Sequence, residues 1–149
     1  MATNIFDKLR AGAETGSADA SRALAAELAR ALPPNAILAL HGDLGAGKTP
    51  FAQGLARGLG ITGPVTSPTF NILTQHPAAR PNTPTFLHLD AYRLENASAL
   101  DGLMLEDFML PPFVLVIEWP ENIAAWLPTD ALHLDLALLP DGRHSIRLR

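Results

Sequence analysis

Apolar residues recur at every fourth position in the segment after Ser17, and this spacing predicts an amphipathic helix. The residues on the shared face are Ala20, Leu24, Leu28 and Leu32. Serine is a common N-cap because its hydroxyl accepts a hydrogen bond from a free backbone N–H of the first turn. Pro33 and Pro34 predict the end of the helix, since the residue before a proline avoids the helical conformation.

Several further segments carry the patterns of β-strands. Short apolar runs bounded by turns are typical of buried strands, and they cover residues 36–40, 85–90 and 113–117. Residues 132–138 and 145–149 alternate apolar and polar positions, which is the period of a half-buried strand. The turn residues 140–143 between them predict a hairpin. Residues 71–75 are a weaker candidate for another strand.

Helices are predicted between these strands, and they alternate with them along the chain. The predicted helices cover residues 51–59, 97–109 and 121–127. Gly54 and Gly58 lie four residues apart in the first of these, where glycine is unfavourable relative to alanine. We expect close packing of this helix against a sheet to compensate for that cost. The alternation of strands and helices predicts an α/β fold.

Composition narrows the class of protein. The chain has 149 residues, 48% hydrophobic and 17% charged, with a net charge of −4 and no cysteine. These values predict one folded domain over residues 1–149 without disulfides or cysteine-ligated zinc. The acidic balance disfavours nucleic-acid binding by the chain alone. No apolar run approaches the ~20 residues of a membrane span, and residues 1–16 lack a signal-peptide pattern, so a cytoplasmic protein without membrane contact is expected.

Residues 42–49 match the pattern G-x-x-x-x-G-K-[ST] without a gap. They are Gly42, Asp43, Leu44, Gly45, Ala46, Gly47, Lys48 and Thr49. Glycines let backbone N–H groups curl around a phosphate, the lysine adds charge beside the β- and γ-phosphates, and the threonine hydroxyl can ligate Mg²⁺. The motif lies between a predicted strand and a predicted helix, as its function requires. It predicts a P-loop NTPase-like three-layer sandwich with a mostly parallel central sheet and an antiparallel C-terminal hairpin.

Pro50 follows this motif at a position where many such loops carry a second hydroxyl residue. A proline is tolerated in the first turn of a helix. It has no N–H, so one potential donor to an α-phosphate is missing. The cradle for the β- and γ-phosphates does not depend on that group.

Asp90 and Glu118 each follow a predicted buried strand. A Mg²⁺-dependent P-loop protein needs a carboxylate at the end of a neighbouring strand. In open α/β sheets the carboxyl ends of the strands form the binding site. We therefore predict that both hold Mg²⁺ and the attacking water, with a solvated strand end as the alternative for either one.

Two other groups of polar residues give weaker signals. Residues 66–70 form a hydroxyl-rich loop that could sense a γ-phosphate, but the residues alone favour an ordinary turn. The five histidines lack the spacing of metal ligands and are interpreted as packing or surface residues.

The strings HGDLGAGKT, SPTF, HLDAYRL and VIEWPENI, in this order and spacing, resemble the bacterial TsaE (YjeE) ATPase family. The resemblance runs from about residue 17 to residue 148. It implies that residues 44–49 bind the phosphates of ATP or ADP, that Thr49 and Glu118 ligate Mg²⁺, and that Asp90 is a second essential carboxylate. The resemblance has two departures, Pro50 and Ala91.

The resemblance also implies roles outside the P-loop. Thr66, Ser67 and Thr69 fall in a switch-like loop of the family, and Thr69 is a candidate nucleotide contact. Arg93 is expected to face the active site or a partner. The turn 141–143 corresponds to a segment that closes over adenine in the family, which makes Arg143 a further candidate.

The family supports threonylcarbamoyladenosine (t6A) modification of tRNA. The resemblance implies an ATPase that joins the TsaD–TsaB complex, meets tRNA only through that complex, and hydrolyses ATP in a partner-dependent way. A small-molecule kinase and a regulatory GTPase remain alternatives. The chain has no N-K-x-D string for guanine, and residues 75–85 carry one arginine where a kinase lid usually has several.

Overall fold

The computed structural model describes residues 4–65 and 72–149. In this part of the chain, seven strands form one sheet: β1 (Ala13–Thr15), β2 (Ala36–His41), β3 (Leu73–His76), β4 (Thr85–Asp90), β5 (Phe113–Glu118), β6 (Leu132–Leu138) and β7 (His144–Leu148). Their spatial order is β1-β7-β6-β2-β5-β4-β3. Every strand predicted from the sequence is present. The strand expected at residues 71–75 corresponds to β3, which begins at Leu73, and residue 71 lies outside the described residues.

The four central strands β6, β2, β5 and β4 run parallel to one another. The outer pairs β3–β4, β6–β7 and β1–β7 are antiparallel. The predicted α/β fold with a parallel central sheet and an antiparallel C-terminal hairpin is therefore confirmed. Because β2 is flanked by β5 and β6, its carboxyl end lies at the centre of the parallel set, where ligand sites of such sheets occur.

Three α-helices cover one face of the sheet: α1 (Ile5–Ala11), α2 (Ala18–Ala31) and α3 (Lys48–Gly58). The prediction for α2 is confirmed, since the Ser17 hydroxyl accepts a 3.0 Å hydrogen bond from the Ala20 N–H. The sequence analysis missed α1 and β1. A three-residue strand is too short to show a period, and β1 is held by its pairing with β7.

Gly54 and Gly58 lie against α2, so the expectation that they pack on a sheet was wrong. A Cβ added to Gly58 would lie 2.5 Å from the Ala26 carbonyl oxygen, and one added to Gly54 would overlap the Arg22 backbone. The missing side chains let the two helix backbones approach closely. This contact fixes α3, and with it the P-loop, against the N-terminal part of the chain.

Shorter elements cover the other face: a 3₁₀ helix (Ala97–Leu103), α4 (Leu105–Phe108) and a second 3₁₀ helix (Pro120–Trp126). The single helix predicted over residues 97–109 was wrong, because Met104 has a left-handed φ of 54° that ends one helix and begins the next. Buried Leu100 and Leu105 still reach the core of this face. Within the described residues, the structure contains no helix with both the length and the apolar character of a membrane span.

Candidate active site

The predicted P-loop connects β2 to α3 at the centre of the sheet. Gly47 has a φ of 97° and directly precedes Lys48, the first residue of α3. Gly42 approaches β6 so closely that an added Cβ would lie 2.5 Å from the Leu136 carbonyl oxygen. Both positions therefore require glycine, one for its backbone conformation and one for space. The N-terminus of α3 points its free N–H groups toward this loop, which favours an anion.

A cavity of about 620 Å³ opens beside the loop and brings most of the predicted site residues together. The predicted residues that line it are Leu44, Gly45, Gly47, Lys48, Thr49, Pro50, Asp90 and Glu118. Gly42, Asp43 and Ala46 line a second cavity of about 530 Å³ next to the loop. Pro50 occupies the first turn of α3, as predicted, and its ring forms part of the wall of the larger cavity.

Lys48 is almost buried, with 6% of its surface exposed. Its Nζ donates a 2.6 Å hydrogen bond to the Gly42 carbonyl and lies 3.8 Å from the centre of the Trp119 ring. Burial lowers the pKa of Lys48 from its ordinary value, while the nearby carboxylates, Glu118 first among them, oppose this shift. An ammonium has three N–H donors, so two remain for a phosphate.

Asp90 and Glu118 are direct register partners at the ends of β4 and β5. The two carboxylates therefore lie side by side at the carboxyl edge of the sheet and line the same cavity. Their surroundings differ, since Glu118 is 4% exposed and Asp90 is half-buried. The Asp90 Oδ1 accepts a 2.9 Å hydrogen bond from the Tyr92 N–H, which shapes the turn after β4.

Two histidines near the site were interpreted from the sequence only as packing or surface residues. His88 is fully buried, and its Nε2 lies 2.6 Å from the Glu118 Oε2. His144 lines the cavity, and its Nδ1 lies 3.1 Å from the Ala46 carbonyl oxygen of the P-loop. The period of β4 contained a signal for His88, because residues 88 and 90 lie on the same face of a strand.

The remaining predicted residues have different placements. Arg93 lines the larger cavity, beside Trp119, which the sequence analysis did not single out. Arg143 is exposed, lines neither cavity at the P-loop, and forms a 3.5 Å ion pair with Glu14, so its contact with a nucleotide stays a prediction. The predicted hydroxyl loop of residues 66–70, including Thr69, lies outside the described residues.

The donor set around the cavity fits a hard divalent cation. Thr49, Asp90 and Glu118 offer only oxygen atoms, which Mg²⁺ prefers. No group of three or more histidine and acidic side chains within residues 4–65 and 72–149 is arranged as a complete metal cage. A Mg²⁺ site of a P-loop protein needs no such cage, because substrate phosphates and water supply the other ligands.

Comparison with known proteins identifies the family. The family model described as threonylcarbamoyl adenosine biosynthesis protein TsaE matches residues 15–145. Proteins named tRNA threonylcarbamoyladenosine biosynthesis protein TsaE include that of Mycobacterium bovis, which is 40% identical over 121 residues (77% of this chain, 70% of the relative). The one from Bacillus subtilis is 35% identical over 132 residues, which cover 89% of this chain and 80% of the relative.

A solved structure agrees with this result. The crystal structure of Bacillus subtilis YdiB superposes with a TM-score of 0.73 at 32% identity, and the match covers 91% of this chain and 81% of that chain. Sequence similarity and structural similarity therefore indicate the same family. The chain belongs to the TsaE family.

Proposed function

We propose that this protein is a Mg²⁺-dependent ATPase that joins the TsaD–TsaB complex and supports t6A modification of tRNA. The observation that carries the proposal is the convergence of the P-loop, Lys48, Thr49, Asp90 and Glu118 on one cavity. The names of the relatives place them in tRNA threonylcarbamoyladenosine biosynthesis.

The chain's own groups suit the hydrolysis of a nucleoside triphosphate. The P-loop N–H groups and the α3 N-terminus bind the β- and γ-phosphates, and Lys48 places a positive charge beside them. Thr49 and Glu118 would hold Mg²⁺, and the bound ion would neutralise the charge that develops on the phosphates. Asp90, at the edge of the same cavity, orients the water that attacks the γ-phosphorus.

The proposed ATPase acts in the cytoplasm together with protein partners. Residues 1–149 act as one P-loop ATPase domain in the cytoplasm, and tRNA is met only through the TsaD–TsaB complex. The net charge of −4 favours a protein partner over tRNA alone. ATP hydrolysis then supports repeated rounds of t6A synthesis by that complex.

Nucleotide selectivity tests the first part of the proposal. The chain has a complete P-loop and no N-K-x-D string for guanine. We expect Mg²⁺-dependent binding of ATP and ADP that is tighter than the binding of GTP. Isothermal titration calorimetry with each nucleotide checks this, and tighter binding of GTP would contradict the proposal.

Replacing Lys48 with alanine tests the site. Charge-assisted contacts are worth about 1.5–3 kcal/mol each, so Lys48→Ala should lower ATP affinity at least about tenfold and abolish hydrolysis in a folded protein. The matched control is Lys8→Ala, because Lys8 is the only other lysine and is exposed on α1. ATP hydrolysis is measured with and without TsaD–TsaB, and circular dichroism confirms folding. Wild-type turnover in Lys48→Ala would show that the cavity at Lys48 is not the site of ATP hydrolysis.

A further inference from the structure

The contact between His88 and Glu118 is unusual among the side-chain contacts at this site. Both side chains are buried, with relative exposures of 0% and 4%, and the Nε2–Oε2 distance is 2.6 Å. Buried polar side chains are costly unless they are paired. His88 is the only side-chain hydrogen-bond partner of Glu118 among the described residues.

The register of the sheet explains how the two residues meet. His88 lies directly opposite Val116, and Glu118 lies directly opposite Asp90. The His88 ring therefore reaches diagonally along the sheet face toward the carboxyl end of β5. Diagonal neighbours on one face lie within reach of long or aromatic side chains.

Hydrogen-bonding capacity fixes the direction of the contact. A carboxylate oxygen accepts, so the His88 Nε2–H donates to the Glu118 Oε2. The His88 Nδ1 is buried and has no partner among residues 4–65 and 72–149. The proton of a neutral ring therefore lies on Nε2, and the contact uses one of the two Glu118 oxygens.

We propose that His88 is a positioning residue that holds the Glu118 carboxylate in the orientation in which its other oxygen ligates Mg²⁺. This inference rests on the proposed function. A single N–H donor restrains one oxygen of the carboxylate and leaves the other oxygen free. Hydrogen bonds to a ligating group orient it and change metal affinity about 10- to 100-fold when they are removed.

The experiment separates positioning from packing. A non-hydrolysable ATP analogue is titrated by calorimetry into the full chain, once with Mg²⁺ and once with EDTA, and the ratio of the two affinities measures the contribution of the metal. The variants are His88→Leu, which removes the donor, His88→Gln, which keeps an N–H, and Phe86→Leu. Phe86 is a matched control because it is fully buried on the same face of β4 and makes no side-chain hydrogen bond.

We expect His88→Leu to reduce the tightening by Mg²⁺ about 10- to 100-fold while leaving the affinity in EDTA unchanged. His88→Gln should retain most of the tightening, and Phe86→Leu should retain all of it. The inference is overturned if His88→Leu keeps the wild-type ratio, if Phe86→Leu loses as much, or if His88→Gln loses as much as His88→Leu.

Three further outcomes are also decisive. If thermal melting shows that His88→Leu does not fold, His88→Phe removes the donor in its place, and a wild-type ratio in His88→Phe overturns the inference. If the wild-type chain binds no analogue in either condition, the proposed function fails and the inference fails with it. A wild-type ratio preserved in every folded variant overturns the positioning role alone.

Discussion

The carboxyl end of β2 has an acidic residue on each side, and the two differ in exposure and in hydrogen-bond partners. Glu118 on β5 lies opposite Leu40, and Asp135 on β6 lies opposite His41. Glu118 is buried and bonded to His88, while the Asp135 side chain is 43% exposed. Arg149 donates to both Asp135 oxygens, at 2.9 Å and 2.8 Å.

This difference shows why position at the edge of a sheet does not by itself make a metal ligand. The Arg149 guanidinium holds the pKa of Asp135 below its usual range and occupies both of its oxygens. The His88 contact uses one Glu118 oxygen. Glu118 also lines the cavity at Lys48, and Asp135 does not. Its carboxylate can therefore face a cation, while Asp135 already has a cationic partner.

Replacing Glu118 with glutamine should have the largest effect on this comparison. The amide keeps the shape of the side chain but loses the charge, so a direct Mg²⁺ ligand is weakened. We expect the Mg²⁺ concentration needed for half-maximal ATP hydrolysis to rise by at least about 100-fold. A Mg²⁺ titration of ATPase activity measures it.

Asp135→Asn is the matched control for that experiment, because it makes the same chemical change on the other side of β2. Its Mg²⁺ requirement should equal that of the wild-type protein. If both variants shift the requirement equally, the two sides of β2 are equivalent and the comparison fails.

Asp90→Asn should have a smaller effect on metal use and a clear effect on turnover. Asparagine keeps the Oδ1 that accepts from the Tyr92 N–H, so the turn after β4 is preserved. Loss of a water-orienting carboxylate should slow turnover about 100-fold, with less than about a threefold change in Mg²⁺ requirement. The same titration applies. An Asp90 variant that needs extra metal beside a Glu118 variant that does not would reverse the two roles.

The sequence predicted the parts of the fold whose signals are local and periodic. The four-residue repeat after Ser17 and the apolar runs at β2, β4 and β5 each depend on neighbours along the chain. The 3₁₀ helices were harder, since the left-handed Met104 divides a stretch that has a helical composition. Only the packed structure shows that Leu100 and Leu105 are buried on either side of that break.

In the candidate site, too, the sequence predicted the local features and missed the contacts between distant residues. The P-loop is one continuous string, and the strand-end rule put Asp90 and Glu118 at the carboxyl edge of the sheet, where the structure shows them as register partners. The partners of these residues come from elsewhere in the chain. His88 lies on β4 and contacts Glu118 on β5. His144 lies on β7, 98 residues after Ala46, whose carbonyl it contacts. Such contacts depend on register and strand order, which a single sequence does not specify.

The smallest expected effect concerns the exposed ion pair between Asp135 and Arg149. Exposed ion pairs contribute about 0–1 kcal/mol, so a double-mutant cycle with Asp135→Asn and Arg149→Gln should give a coupling below about 1 kcal/mol at pH 7 in urea unfolding. The folded-state pKa of Asp135 is lowered. Its contribution is therefore present above the ordinary pKa of aspartate and is lost as the pH falls through the lower folded-state pKa. The coupling should vanish in acid and shrink in high salt. A coupling well above 1 kcal/mol, or one that persists in acid, would show that Asp135 is held as strongly as a buried group, and its exposure would no longer explain why it differs from Glu118.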